Sequence, residues 1–299
     1  MLKTYSTSVN WLFLLGLLLL PSPLLAGSSL IFPRASFDPN LITGIAIANP
    51  SGQDAQVTIT AFGVDGQPLS GSGVQNPVQI TITAGQQVAR VSADLFGTGV
   101  DPSTVAWLLA TSPTDGLTGF FLLINSSISL LDGADLPDTS QKLIFNYVRL
   151  DGSYTTEINL VNPGDSTADI QIQLAGTSPA PIVRQLSIPA KAVMRLDVAT
   201  LFQTNNVSPG AYIIADSNAE VAGFELVRNG STDGIGLNAR RASEALSTLY
   251  FLQVSVLGSN KAQLGVVNYS SAPVVLTITA SKPDGTLYDF ANLQNNPIT

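Results

Sequence analysis

Apolar and polar side chains alternate with a period of two along most of the chain. The segments Gln56–Ala61 and Ile170–Leu174 are the clearest cases, because an apolar residue occupies every second position in each of them. This alternation is typical of antiparallel strands that bury one face. Asn-Pro, Pro-Gly and Asp-Gly pairs separate the alternating segments and indicate turns. No segment has a long amphipathic helical period, so we expect an all-β chain and not a parallel α/β fold.

The first third of the chain illustrates the expected architecture. One short helical turn is predicted at Ser92–Phe96, between the fifth and sixth strands. Short strands separated by turns predict two packed antiparallel sheets, as in an immunoglobulin-like sandwich. The expected strands lie at residues 30–34, 43–49, 55–63, 77–83, 86–92, 104–111 and 118–125.

The chain contains an internal repeat. Three segments that begin at Leu30, Leu143 and Leu249 align without a gap. Further along, VAWLLATS and TGFFLLIN match GAYIIADS and AGFELVRN. A period above about 100 residues is that of a domain, so we expect each full copy to have its own core and to fold alone. We name residues 27–138 repeat 1 and residues 139–246 repeat 2.

The third copy, residues 247–299, matches only the first half of the repeat. It is therefore expected to be an incomplete β-sandwich, and the chain is expected to be a fragment of a longer protein or the product of a truncated gene. In this alignment Ile59, Ile172 and Ile278 share one inward-facing position.

The repeats resemble the tandem immunoglobulin-like β-sandwich repeats of secreted bacterial surface proteins. The resemblance is carried by TGIAIANPSGQDAQVTITAFGVDGQPL, TAGQQVARVSADLF and LTGFFLL, which are echoed in repeat 2. It covers most of residues 30–299. It implies a fold and supplies no catalytic or binding residue.

Residues 1–26 have the pattern of a secretory signal peptide. A lone Lys3 precedes an apolar run from Trp11 to Leu20, and Ala26 is followed by small residues. The run is about half of the ~20 residues that span a bilayer. We therefore expect cleavage after Ala26, no membrane span in the mature chain, and a secreted or cell-surface protein.

Composition narrows the classes of function. The 299 residues carry 13 Lys and Arg against 21 Asp and Glu, a net charge of -8 that disfavours nucleic acid as a partner. The chain has no His and no Cys. A Ser–His–Asp triad, a thiol nucleophile and the nitrogen and sulfur ligands of zinc are therefore absent from it. The absence of Cys in an exported chain favours bacterial export over animal secretion, since small secreted domains usually need disulfides, whereas larger domains can dispense with them.

Asp132, Asp135 and Asp138 are the weak metal candidates. They cluster in DGADLPD, between repeats 1 and 2, and carboxylates are the ligands that Ca²⁺ prefers. Their spacing is not that of an EF-hand, and a solvated inter-domain loop is the simpler interpretation. We predict no metal and no cofactor.

Other short motifs have plain structural interpretations. The stretch from Gly234 to Ala239 fits a dinucleotide fingerprint on paper but lacks a helical continuation, so it is interpreted as a linker. Arg90 and Arg195 are aligned at one position and interpreted as charges at a sheet edge. Asn49 and Asn162 precede Pro and are interpreted as turn formers.

Carboxylates and aromatic residues leave two further possibilities. Glu157 and Glu225 alternate with apolar neighbours and are interpreted as outward strand positions. A glycosidase-type carboxylate pair depends on distance in space and stays open. Sugar binding needs exposed rings, but Trp107 lies in an apolar run and is expected in the core. The candidate platforms are then Tyr147, Tyr154 and Tyr288.

The sequence thus favours an exported, non-catalytic structural or interaction protein, of the spacer, surface-layer or adhesion type. Its expected partner is an unknown protein or polysaccharide at the cell surface. The alternatives are a carbohydrate-binding module and an accessory part of a larger extracellular enzyme.

Overall fold

The chain is all-β, with antiparallel sheets throughout. The computed structural model describes residues 27–125, 131–177, 179–205, 207–230, 233–251, 264–270, 272–279 and 281–286. The expected signal peptide at residues 1–26 and the expected platform Tyr288 lie outside these residues. Within the described ranges, no helix is long and apolar enough to cross a membrane.

The described residues of repeat 1 form nine strands and one helical turn, α1. All seven strands expected from the alternation are present, and α1 spans the five residues predicted for it. The elements are β1 (Ser28–Ala35), β2 (Phe37–Asp38), β3 (Leu41–Ala48), β4 (Ala55–Phe62), β5 (Val78–Ile82), β6 (Gln87–Val91), α1 (Ser92–Phe96), β7 (Ala106–Ser112), β8 (Thr118–Ile124) and β9 (Leu131–Asp135).

Two sheets enclose the core of repeat 1. The back sheet has the order β1-β7-β4-β5, and the front sheet has the order β6-β3-β8-β9, with β2 paired to the start of β3. Along each strand, every second side chain points into the space between the two sheets. Phe32 and Ile59 of the back sheet there meet Ile45 and Phe121 of the front sheet, and all four are at most 4% exposed.

Repeat 2 has the same two-sheet arrangement, except that one of its strands runs through both sheets. Its strand β15 is continuous, so that its first half pairs in the back sheet and its second half in the front sheet. The back sheet is β13-β12-β15-β10-β17 and the front sheet is β14-β11-β15-β16. The elements are β10 (Ser140–Phe145), β11 (Tyr154–Val161), β12 (Ala168–Ala175), β13 (Ile182–Ile188), β14 (Val193–Asp197), α2 (Val198–Phe202), β15 (Tyr212–Asn229), β16 (Asp233–Asn238) and β17 (Arg240–Arg241).

The repeated Asn is a buried structural link and not merely a turn former. Asn49 is fully buried, and its Nδ2 donates to the carbonyl oxygens of Gln53 in the following turn, at 2.7 Å, and of Ile82 at the end of β5, at 2.9 Å. Asn162 makes the same connection to Ser166, at 2.7 Å, and to Ile188, at 3.0 Å. One side chain thus joins the turn after β3 to the end of β5, or the turn after β11 to the end of β13.

Two segments that the sequence assigned to loops are edge strands. The acidic segment expected to be a solvated loop contains β9, which pairs with β8. The segment expected to be a linker, Gly234–Ala239, overlaps β16, which pairs with the second half of β15. Both are rich in Asp and Gly, which are rare in strand interiors. They are tolerated here because each strand lies at the edge of its sheet.

Each repeat has its own apolar core cluster, as expected, but the two repeats also pack on each other. Phe224 and Leu226 of repeat 2 belong to the same apolar cluster as the core of repeat 1, and the ring of Phe224 meets that of Phe121 edge-on at 5.0 Å. A further cluster consists of Ile31 and Trp107 from repeat 1 with Val161, Val193 and Ala222 from repeat 2. The repeats therefore share a buried apolar junction.

The third copy differs from the first two. Its described residues contain no strand longer than one isolated bridge position. Ile59 and Ile172 are fully buried, as expected, but Ile278 is 45% exposed. The expected inward position is therefore occupied only in repeats 1 and 2.

Candidate functional site

The outer faces of the two front sheets differ in chemistry between the repeats. We call these surfaces front face 1 and front face 2, after the repeat that carries each. Because the ladders match, each residue of front face 1 has a partner position in front face 2. Front face 1 consists of Gly44, Ala46, Ala89, Phe120, Leu122 and Ile124, and front face 2 consists of Glu157, Asn159, Arg195, Phe224, Leu226 and Arg228, in the same order.

Front face 2 is covered by repeat 1, and its polar centre is an ion-pair network. Arg34 Nε lies 2.8 Å from Glu157 Oε1, and Arg195 Nε lies 3.7 Å from the same oxygen. Asn159 Nδ2 also donates to Glu157 Oε1, at 3.0 Å, and Arg195 Nη2 donates to the backbone oxygen of Ala35, at 3.0 Å. Arg34 is only 4% exposed. The network therefore ties β1 of repeat 1 to β11 and β14 of repeat 2.

The charged groups in this network shift one another's pKa values. Burial raises the pKa of Glu157, but Arg34 and Arg195 outweigh it and hold that pKa below its usual value. Burial and the neighbouring Arg34 lower the pKa of Arg195 to about 10, although Glu157 acts in the opposite direction. Glu157 is therefore ionised at neutral pH and neutralises one of two buried guanidinium groups.

Trp107 is buried at the junction and not in the core of repeat 1. It lies on the outer face of the back sheet, stacked on Phe62 with ring centroids 5.2 Å apart. Its Nε1 donates to the backbone oxygen of Lys191 in repeat 2, at 2.7 Å. Repeat 2 thus supplies both the apolar cover and the hydrogen-bond acceptor that a buried indole requires.

Gly66 marks a close backbone approach beside Trp107. Its φ is +76°, and a Cβ added there would lie 1.9 Å from the backbone oxygen of Ala190 in repeat 2. Any larger residue would have to push the repeats apart. Glycine is therefore required at this position both by its backbone conformation and by the contact.

The three acidic candidates lie at the rim of the same junction and have separate partners. Asp132 Oδ2 accepts a hydrogen bond from the backbone N–H of Gly236, and Asp135 Oδ1 accepts one from Asn238 Nδ2 at 2.7 Å. Asp138 pairs with Arg241 at 3.1 Å. Among the described residues there is no group of three side chains placed to hold a metal ion. The structure therefore joins these carboxylates to repeat 2 and does not bring them together.

Arg90 and Arg195 do not occupy equivalent positions, contrary to the sequence alignment. Arg90 lies opposite Ile45, whereas Arg195 lies opposite Asn159, the counterpart of Ala46. The two arginines are thus one residue apart in register and on opposite faces of their strands. Arg90 is exposed, while Arg195 is part of the buried network.

Glu225 points inward, contrary to the expectation that it faces outward. It lies opposite Ile158, as Phe121 lies opposite Ile45, so it occupies a core position and is fully buried. Neither carboxylate oxygen has a hydrogen-bond partner of regular geometry among the described residues. Burial raises the pKa of Glu225 well above its usual value, and the backbone N–H groups of Tyr147 and Asn146 offset this only in part. The alignment of TGFFLLIN with AGFELVRN carried this signal, since it places Glu225 over Phe121.

Of the candidate sugar platforms, Tyr147 and Tyr154 lie in the described residues, and both interact with Arg149. The guanidinium of Arg149 lies 3.5 Å from the centroid of the Tyr154 ring. Tyr147 is half-buried, and Trp107 is fully buried.

Front face 1 is open, in contrast to front face 2. Phe120 is 43% exposed, whereas its counterpart Phe224 is 1% exposed. A hollow of about 290 Å³ lies on this face, lined by Gly44, Ala46, Ala89, Phe120, Leu122 and Ile124, with Arg90 and Asp94 among the other lining residues. An exposed apolar surface of this kind is typical of a binding surface.

Comparisons with known proteins do not assign a family. No family model matches the chain, and no curated protein matches it. Among solved structures, the one described as "Crystal Structure of Thermotoga maritima 1070" is similar over 33% of this chain and 92% of its own, at 21% identity and a TM-score of 0.30. That TM-score is too low for the likeness to bear on fold or function.

Proposed function

We propose that the protein is an exported, non-catalytic structural or interaction protein, in which immunoglobulin-like β-sandwich repeats form a stiff array. Such an array serves as a spacer, a surface-layer component or an adhesion module. Its partner is a protein or polysaccharide at the cell surface.

The buried junction between the repeats is the observation that carries the proposal. Trp107, the Arg34–Glu157 pair and the contact of Gly66 with repeat 2 hold the two repeats in one relative orientation. Flexibly linked domains share smaller and more polar interfaces. A junction with a fully buried indole and a buried ion pair supports a rigid rod, which a spacer requires.

The carbohydrate-binding alternative has less support. The ring face of Tyr154 is occupied by Arg149, and Trp107 is enclosed by the junction. Stacking on a sugar requires an accessible ring face.

A distance measurement between the repeats tests the stiff array. The chain has no native Cys, so spin labels can be attached to Cys introduced at the equivalent exposed positions Gln79 in β5 and Gln185 in β13. We expect one narrow distance distribution, as narrow as that of a reference pair within repeat 1 at Gln79 and Gln87. The distribution should broaden in Trp107→Ala. A broad distribution in the parent chain would contradict the spacer function.

Export is tested separately. Expression in a secreting host followed by mass spectrometry should give a mature N-terminus near Gly27. An intact Met1 in the membrane fraction would contradict cleavage.

A further inference from the structure

The third copy has the first turn of repeat 1 with the same hydrogen bonds. Asn268 Nδ2 donates to the backbone oxygen of Ala272 at 2.8 Å, and Ser270 Oγ donates to Asn268 Oδ1 at 2.7 Å. The corresponding bonds of Asn49 in repeat 1 are 2.7 Å and 2.6 Å long. The turn between the counterparts of β3 and β4 is therefore formed in the third copy.

The Asp-Gly turn that follows is formed as well. The N–H of Thr286 donates to Asp284 Oδ1 at 2.9 Å, and the same bond in the Asp65–Gln67 turn of repeat 1 is 3.0 Å long. The two turns lie on either side of residues 274–279, which correspond to the greater part of β4. Local structure of the repeat is thus present in the third copy, although its described residues contain no strand longer than one isolated bridge position.

Apolar positions that face the core in repeats 1 and 2 are exposed in the third copy. Val266 is 42% exposed, Leu276 is 37% exposed and Ile278 is 45% exposed, and we call these three residues the open positions. Their counterparts in repeats 1 and 2 are at most 1% exposed. These counterparts are Ile47, Val57 and Ile59 in repeat 1 and Leu160, Ile170 and Ile172 in repeat 2.

The strand pairing of repeat 2 shows which strand lies beside the counterparts of the open positions. β11 and β12 belong to different sheets, and both pair with β15. The first half of β15 lies beside Ile170 and Ile172, and its second half lies beside Leu160. The described residues of the third copy extend to Thr286, the counterpart of Gln67, so they include no counterpart of β15. One continuous strand of this type would complete a ladder beside each of the two segments that carry the open positions.

We propose that the third copy binds a β-strand of the β15 type, which adds to the counterparts of β3 and β4. The proposal rests on the proposed interaction function and names the partner as a polypeptide strand with this apolar alternation. In strand addition, backbone hydrogen bonds supply the affinity, and alternate side chains supply the specificity. Because both turns of the third copy are already formed, binding costs less conformational entropy than the ordering of a free segment.

A synthetic peptide with the sequence of β15, Tyr212–Asn229, tests the proposal. Titration of the chain from Gly27 onward into the fluorescently labelled peptide, followed by fluorescence anisotropy, should give saturable binding. Ile278→Asp in the chain should weaken this binding at least about tenfold, because the added strand would bury an unpaired carboxylate. A second peptide with Ile213→Asp, at a position that faces the core in repeat 2, should also bind at least about tenfold less tightly.

Val275→Asp is the matched control in the chain. Val275 is 95% exposed and corresponds to Gln56 and Asp169, which face outward in repeats 1 and 2, so this variant should bind the peptide like the parent chain. Urea unfolding followed by Trp107 fluorescence checks that repeats 1 and 2 stay folded in both variants. The absence of saturable binding, or equal binding by Ile278→Asp and the parent chain, would overturn the proposal. Equal binding of the two peptides would also overturn it, because it would indicate adsorption without strand pairing.

The spin-label distances separate this inference from the proposed function. A narrow distribution together with no peptide binding would leave the stiff array in place and reject only the strand addition. A broad distribution together with specific peptide binding would reject the stiff array and keep the strand addition.

Discussion

Front faces 1 and 2 are built on equivalent strands in the same register, yet one is open and the other is buried. Phe120 is 43% exposed, and its counterpart Phe224 is 1% exposed. The open face has Gly44 and Ala46 where the covered face has Glu157 and Asn159. The two repeats therefore share one pattern of strand pairing, whereas the polarity of each front face differs with whether a neighbouring repeat covers it. Among the described residues of these two faces, the buried ion pair lies on the face to which the neighbouring repeat supplies Arg34.

The largest expected effect comes from removing the indole at the centre of the covered contact. Trp107→Ala should lower the free energy of unfolding by up to about 5 kcal/mol, as expected for truncation of a fully buried Trp. Tyr212→Ala at the equivalent position of repeat 2 is the control and should cost less, because Tyr212 is only half-buried. Urea denaturation of both variants measures the difference. Equal losses of stability in the two variants would mean that repeat 2 does not bury Trp107.

Breaking the ion pair should have the next largest effect. Glu157→Gln leaves the guanidinium of Arg34 buried without a counter-charge, which should cost about 3 kcal/mol at neutral pH. Asp151→Asn is the control, because the exposed pair of Arg149 and Asp151 contributes little.

The pH dependence of that stabilisation has a definite sign. The pKa of Glu157 is lower in the folded state than its usual value of 4.5, so the unfolded state binds the proton more readily. The contribution is present above pH 4.5 and is lost as the pH falls through the folded-state pKa. Unfolding midpoints of the parent chain and Glu157→Gln should therefore converge in acid. A constant gap down to low pH would contradict the ion pair.

Glu225 allows the same comparison in the core. Phe121 occupies its position in repeat 1, so Glu225→Leu should raise the free energy of unfolding by about 1–3 kcal/mol at neutral pH, by removing a buried carboxyl whose burial the backbone N–H groups of Tyr147 and Asn146 offset only in part. Because burial raises the pKa of Glu225 in the folded state, the pH-dependent part of this cost is absent below pH 4.5 and grows as the pH rises towards the folded-state pKa. The increase in the free energy of unfolding of Glu225→Leu over the parent chain should therefore be larger at pH 7 than at pH 4. The exposed Glu220→Leu is the control, and a loss of stability in Glu225→Leu would contradict a net cost of burying this carboxyl.

The strands of the sandwich were predictable from the sequence, but the contact between repeats was not. Alternation identifies Val57, Ile59 and Ala61 as inward, whichever surface covers the opposite face. It cannot tell whether the outward Trp107 meets solvent or another repeat, because both give the same pattern. The edge strands β9 and β16 were missed for a different reason, since their Asp and Gly residues are typical of turns. Arg90 was misaligned with Arg195 because only the ladder shows their different registers.

The smallest expected effect is at the rim of the junction. Asp135 accepts its hydrogen bond at an exposed position, so Asp135→Ala should change the free energy of unfolding by no more than about 0.5 kcal/mol. Thermal melting with and without millimolar calcium should give the same midpoint for the parent chain and the variant. A calcium-dependent rise that disappears in Asp135→Ala would show a metal site at this rim.

The central claim, that the buried junction holds repeats 1 and 2 together as one stiff unit, has an intrinsic probe. Trp107 is the sole Trp after residue 26, and it lies in the junction. Urea unfolding of the chain from Gly27 onward can be followed by its fluorescence and, in parallel, by far-UV circular dichroism of the strands. We predict coincident transitions with one midpoint. An earlier change in Trp107 fluorescence, followed by a separate loss of β-structure, would show that the repeats part before either unfolds and would contradict the account.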